Sequence, residues 1–195
     1  MKPLFSSSIA DQHAARRKGS AQGLAAFGID AEQPVEADGL RTIRESSRGE
    51  GPTIFTVGYE RRDGEDLIGR LLDAGVETLI DVRQRAMSRK PDFRSKALEV
   101  RCEAASIEYV AMSDLGSTAN LRDELHANGD LGAFHEAFRT YAENELGEGL
   151  ERLRALSETT VACLICYERR HEECHRATVA DLVAEMNDAS IVAIG

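Results

Sequence analysis

Apolar positions along this chain fall into short runs, and the runs alternate with stripes at helical spacing. Thr53–Val57 is β-branched and aromatic and ends at Gly58, which predicts a strand. Asp63 and Asp66 then resemble a capping box, and Leu67, Ile68, Leu71 and Leu72 follow at helical spacing until Gly75. Val76–Val82 predicts a second strand with Asp81 near its end. Pro91 keeps the next loop from turning helical early, Ser95 can cap a helix to about Ala105, and Ile107–Met112 predicts a third strand. Residues 119–157 read as one short and two longer helices, with Phe134, Phe138 and Tyr141 on one stripe and Leu146, Leu150, Leu153 and Leu156 on the next. Val161–Cys166 predicts a fourth strand, Cys174 to about Met186 a helix, and Ser190–Ile194 a fifth strand.

Strands that alternate with helices pair in parallel through right-handed crossovers, with helices on both faces. The expected class is therefore α/β, a three-layer sandwich with a mostly parallel central sheet of about five strands. The unbroken apolar run at 161–166 suits a strand buried on both faces. Sites in such sheets form at the carboxyl ends of strands. Here those ends are Gly58-Tyr59-Glu60, Asp81-Val82-Arg83, Ser113-Asp114 and Cys166-Tyr167-Glu168, where polar residues collect. Residues 1–50 carry no sustained period beyond a short helix from about Ile9 to Lys18, and read as a flexible N-terminal extension. Residues 51–195 read as the α/β domain.

Composition narrows the partners. The chain has 195 residues, of which 42% are hydrophobic, enough for one packed domain. No stretch approaches the ~20 apolar residues of a membrane span, and the N-terminus lacks the apolar region of an export signal. The expected location is cytoplasmic, so Cys102, Cys163, Cys166 and Cys174 are expected as thiols, not disulfides. A net charge of −10 excludes indiscriminate binding to nucleic acid. Within that acidic chain, residues 83–101 carry seven Lys/Arg against two acidic residues, enough to attract an anion locally.

The candidate chemistry gathers in residues 161–176, V-A-C-L-I-C-Y-E-R-R-H-E-E-C-H-R. At 100° per residue, Val179, Leu182, Val183 and Met186 form the buried stripe of the last helix. His175 and Arg176 flank that stripe one turn earlier and should lean over the strand ends, while Cys174 falls on the polar side. His175 suits general acid/base work, and Arg176 at a helix start suits a phosphate or carboxylate, or a brace to Asp81 or Glu168. Asp81 and Glu168, at neighbouring strand ends, make a carboxylate pair. Cys166 is placed either as a nucleophile or as a buried structural residue. It does not open a phosphatase loop, because Glu172 stands where an Arg is needed. A zinc site is disfavoured: Cys163 and Cys166 are three apart on a strand and face opposite ways, and the helical projection separates Cys174 from His175. No metal or cofactor is assigned.

Taken together, T-V-G-Y-E at 56–60, L-I-D-V-R at 79–83, S-R-K-P-D-F at 88–93, I-E-Y-V at 107–110 with L-G at 115–116, G-L-E-R-L at 149–153 and C-Y-E-R-R-H-E-E-C-H-R at 166–176 resemble the domain-of-unknown-function family 488 over about 53–194. The chain departs from that pattern at Ser117, where a second Gly is common, and at Gln84-Arg85-Ala86, where Pro is usual. The resemblance implies an α/β three-layer fold and a shared pocket built from these motifs, and no activity. The Asp-Val-Arg strand is also similar to rhodanese-type sulfurtransferase domains, without their Cys-loop-Arg spacing.

The leading functional reading is an enzyme acting on a phosphorylated substrate, a nucleotide or nucleic acid first among options. His175, Glu168 and Asp81 are its proton-handling and orienting groups, and Arg176, Arg83, Arg89 and Tyr59 are its substrate-side groups. One alternative is a non-catalytic module that binds nucleic acid or protein through the basic loop 83–96. The other is a thiol enzyme using Cys166.

Overall fold

The computed structural model describes residues 39–49 and 51–195; the helix expected near Ile9–Lys18 lies outside them. Strand β1 (Leu40–Arg44) comes first, within the segment read from sequence as an extension. Then follow β2 (Thr53–Gly58), α1 (Gly64–Asp73), β3 (Thr78–Asp81), α2 (Ser95–Ala104), β4 (Glu108–Ala111), α3 (Ala119–Asn128), α4 (Leu131–Glu145), α5 (Gly147–Ser157), β5 (Ala162–Cys166), α6 (His175–Asn187) and β6 (Ser190–Ile194). The strands form one six-stranded sheet in the order β1-β6-β2-β5-β3-β4. All pairs are parallel except β1 with β6. β1 was missed because its five residues, LRTIR, are exposed or half-buried and lack an apolar run; edge pairing recruits them.

Alternation along the central strands divides the core. Ile54, Ile80 and Leu164 point to one face, where α4, α5 and α6 bury Phe138, Leu153, Val179 and Val183 against them. Val57, Leu79, Cys163 and Ile165 point to the other, where α1 and α2 supply Leu67, Leu71, Leu98 and Cys102. This is a three-layer α/β sandwich. The Asp63 side chain accepts from the Asp66 backbone N–H at the start of α1, as the capping pattern implies. Ser95, by contrast, is the first helical residue of α2, with Arg94 at the cap position.

The strand ends are level. Gly58 of β2 pairs with Cys166 of β5, and Asp81 of β3 pairs with Ile165. Past this edge the β5–α6 loop crosses directly over Gly58. A Cβ there would sit 1.8 Å from the Glu168 carbonyl oxygen, so only glycine admits the loop at this height. Gly116 has the same role beside the β3 loop, where a Cβ would meet the Gln84 backbone N at 2.2 Å. These two close approaches fix where Glu168 and Gln84 cross the sheet edge.

Candidate functional site

Two buried clusters of reactive side chains flank the carboxyl edge, one on each face. The first is on the α1/α2 face. β3 alternation aims Asp81 there with Leu79, and the chain continues extended long enough for Arg83 to follow. The Arg83 Nε and one terminal nitrogen donate to the two Asp81 carboxylate oxygens at 2.7 and 2.5 Å. The other terminal nitrogen donates to the Tyr59 hydroxyl at 3.1 Å and the Phe93 carbonyl at 2.8 Å. The Tyr109 hydroxyl donates to Asp81 at 2.7 Å. Tyr59 stacks on Phe93 with ring centroids 4.4 Å apart. Burial disfavours the Arg83 charge, but the Asp81 hydrogen bond and charge outweigh it and raise its pKa. Arg83 is 6% exposed and Asp81 1%. Both are committed to each other and to the aromatic layer.

The second cluster is on the α4/α5/α6 face. Cys166, in register with Leu164, ends β5 on this side. The loop 167–174 then turns back, and α6 begins at His175. His175 Nε2 lies 2.9 Å from the Val82 carbonyl oxygen, which can only accept, so Nε2 carries a proton. Its Nδ1 therefore faces the sulfurs of Cys166 and Cys174, each 3.7 Å away. Glu168 Oε2 is 3.4 Å from the Cys166 sulfur. The Phe138 ring packs edge-on against the imidazole at 5.4 Å. Cys166, Cys174 and His175 are all buried; Glu168 is half-buried.

The charges in this cluster are interdependent. Burial pushes the Cys174 thiol up, but the hydrogen bond from Cys166 and the charges of His175 and Arg176 outweigh it and hold it well below an ordinary thiol. Cys166 moves the other way, raised by its hydrogen bond to Cys174 and by burial. Burial lowers His175, while Cys174 and the Val82 carbonyl more than compensate and raise it. Burial, then the Cys174 charge, lift Glu168 to about 7. Cys174 and His175 thus shift in opposite senses, the cysteine toward its charged form and the histidine toward its protonated one.

Arg176 supports this arrangement without facing it. The residue is 1% exposed, and its guanidinium donates to the Glu168 and Arg169 carbonyls at 2.6 and 3.2 Å. It fastens the loop through backbone oxygens, not through the Asp81 or Glu168 carboxylates that sequence reasoning offered. His171, buried in the same loop, meets the Thr56 hydroxyl at 2.9 Å. Burial and then the Arg176 charge lower its pKa to about 4, so it stays neutral.

The residues expected to share one pocket thus divide. Cys166, Glu168 and His175 come together; Asp81, Arg83 and Tyr59 come together on the opposite face; Asp81 and Glu168 do not form a carboxylate pair. Arg89 is exposed on the loop between Arg83 and Pro91. Cys163 and Cys166 do lie on opposite faces, with Cys163 in the α1/α2 core. Cys174 was misplaced by the helical projection. It is the N-cap, with extended backbone (φ −131°, ψ 141°), so a step of 100° does not apply to it, and it is 1% exposed. The Val82 carbonyl, which fixes the imidazole, has no side-chain signal in the sequence at all.

No described helix is long and apolar enough to cross a membrane. No curated protein and no solved structure matches the chain. A family profile does, over residues 64–183, from the start of α1 into α6, and so includes both clusters apart from Tyr59. The chain belongs to the family described as domain of unknown function DUF488.

Proposed function

We propose that the protein is an enzyme whose reaction centre is the corner of Cys166, Cys174, His175 and Glu168, and whose substrate carries a phosphate or similar anion. The observation that carries this reading is the Glu168 carboxylate, half-buried and 3.4 Å from the Cys166 sulfur, at the mouth of an otherwise buried cluster. It is the member of the cluster best placed to exchange a proton with a bound substrate. His175 has both nitrogens engaged, so it positions the sulfurs and is not the exchanging group. Cys174 has almost no exposure, which suits holding something within the corner better than attacking a substrate outside it.

The anion preference comes from the basic loop. Lys90 is tied to the Arg62 carbonyl at 2.7 Å, Arg94 to the Ser88 carbonyl at 3.3 Å and Lys96 to Glu99 at 2.8 Å. Arg85 and Arg89 project into solvent and are the groups assigned to draw the substrate in. The test is a screen of nucleotides, oligonucleotides and small phosphate esters, followed by Glu168→Gln and Arg89→Ala on any substrate turned over. Glu168→Gln is expected to lower kcat by about 100-fold or more at an unchanged melting temperature. Arg89→Ala is expected to raise KM and flatten its salt dependence. Full turnover in the Gln variant would refute the role of Glu168. Salt-sensitive binding of nucleic acid without turnover, lost in Arg89→Ala, would favour a binding module instead.

A further inference from the structure

We propose that Cys166 Sγ, Cys174 Sγ and His175 Nδ1 are three ligands of a tetrahedral site for a zinc-class divalent metal. Their ligand atoms all lie within 4.8 Å of one another, and all three residues are buried. In a zinc tetrahedron with Zn–S near 2.3 Å and Zn–N near 2.0–2.1 Å, sulfur and nitrogen stand about 3.6 Å apart along an edge. Both sulfur–Nδ1 separations here are 3.7 Å. The cluster has the dimensions of an assembled ligand set before any ion is placed in it.

The imidazole is prepared for the same purpose. Nε2–H is held by the Val82 carbonyl, which fixes the ring plane and leaves Nδ1 as the atom turned to the sulfurs. Histidine ligands are oriented through their second nitrogen in this way, and the carbonyl partner raises their basicity. Val82 in turn stands between Asp81 and Arg83, whose ion pair sets the local backbone. Two soft sulfurs and one imidazole suit zinc, and exclude magnesium and calcium, which take oxygen. Three protein ligands leave one position for a water or substrate, the pattern of a catalytic rather than a structural zinc. Glu168 stands beside the cluster as the carboxylate that can take a proton from a metal-bound water. Uptake of the ion would release to solvent the protons that the ligating thiols and imidazole carry.

Elemental analysis of the purified protein tests this directly. About one zinc per chain is expected, removed by a strong chelator and restored by zinc alone. Cobalt(II) added to the stripped protein should give thiolate-to-metal charge-transfer absorption and tetrahedral d–d bands. Cys166→Ser and Cys174→Ser should each lower zinc affinity by 100-fold or more, whereas Cys163→Ser and Cys102→Ser, on the other face, should leave it unchanged. Glu168→Gln should retain the ion; its loss there would overturn the three-ligand set. A folded wild-type chain that neither carries zinc nor takes it up, or stoichiometric uptake that survives both the Cys166 and Cys174 changes, would overturn the site itself. Wild-type uptake alone is decisive if a Ser variant fails to fold. Because uptake is read without turnover, an inactive protein that binds zinc leaves this inference standing while the proposed function fails.

Discussion

The two clusters at the carboxyl edge use similar materials in opposite ways. On the α1/α2 face, Arg83 and Asp81 satisfy each other, and two tyrosine hydroxyls and the Phe93 carbonyl take up much of the remaining hydrogen-bonding capacity. On the α6 face, two sulfurs and an imidazole nitrogen converge on one point, and a carboxylate stands beside them. The first arrangement is closed: it has attraction within and nothing left to offer. The second accumulates negative charge and lone pairs, and is stable only to the extent that protons or a cation sit among them. Charged residues at strand ends therefore do not by themselves make a pocket. What separates a brace from a site is whether the charges cancel inside the cluster. The two are joined through one peptide unit, since the Val82 carbonyl that holds His175 sits between the two members of the brace.

The largest effect should come from breaking the brace. Arg83→Met leaves the Asp81 carboxylate buried with the Tyr109 hydroxyl as its remaining side-chain partner. Removing one member of a buried pair costs about 3–5 kcal/mol, to be read as the shift in urea-denaturation free energy at pH 7. The double change Arg83→Met with Asp81→Leu should recover much of that loss, because the uncompensated charge goes with it. If the single variant is as stable as wild type, the brace is not structural. A variant that stays folded also tests the link across the sheet. Loosening residues 81–83 should weaken zinc binding at the other cluster by about 10–100-fold, as changes behind a metal ligand do.

The next effect should fall on the α6 face alone. Gly58→Ala places a methyl group where the Glu168 carbonyl now lies, 1.8 Å from its oxygen. The loop must lift, at a cost of about 3 kcal/mol, the upper end for overpacking. Lifting it pulls Glu168 away from Cys166 and the Arg176 guanidinium from the carbonyls it holds, while Asp81 and Arg83 keep their contacts. Thermal melts should show the loss, and a crystal structure of the variant should show Glu168 displaced with the brace intact. An undisturbed loop would mean that Gly58 is not what sets its height.

How far the sequence reveals all this differs between the two clusters for a physical reason. The layers, the strand order along the chain and the level strand ends follow from apolar runs and stripes, because burial periodicity is a property of side chains in order. β1 escapes that logic, since an edge strand is recruited by backbone hydrogen bonds and needs no apolar run. The carboxyl-edge location of the reactive residues was legible, but the reading joined Glu168 and His175 to Asp81 and Arg83, and left Cys166 between a nucleophile and a structural residue. Which face each strand-end residue takes was legible in principle from alternation: Asp81 follows Leu79, and Cys166 follows Leu164. The face of Leu79 relative to Leu164, however, depends on register between strands 80 residues apart. Cys174 was lost because a helix projection was applied one residue before the helix begins. The backbone carbonyls of Val82, Glu168 and Arg169, which orient His175 and engage Arg176, leave no mark in a sequence.

The smallest effect in the comparison concerns acid. His171, within the β5–α6 loop, is packed against Thr56, with Arg176, Glu172, Cys174 and Arg41 as its charged surroundings. Its pKa is lowered from 6.5 to about 4 in the folded protein, by burial first and Arg176 second. Below pH 6.5 the unfolded chain binds a proton that the native chain refuses. Stability is therefore intact above pH 6.5, falls as the pH drops toward 4, and loses nothing more to this group below that. The loss at pH 5 should be about 2 kcal/mol. His171→Gln keeps an amide for the Thr56 hydroxyl and cannot take up the proton, so its urea-denaturation free energy should fall less between pH 7 and pH 5 by that amount. Equal pH slopes in the two proteins would remove His171 as the acid-sensitive element. With the slope assigned to His171, acid loosens the face that carries the cysteines through a neutral imidazole, whereas Arg83 on the opposite face stays charged throughout the same range.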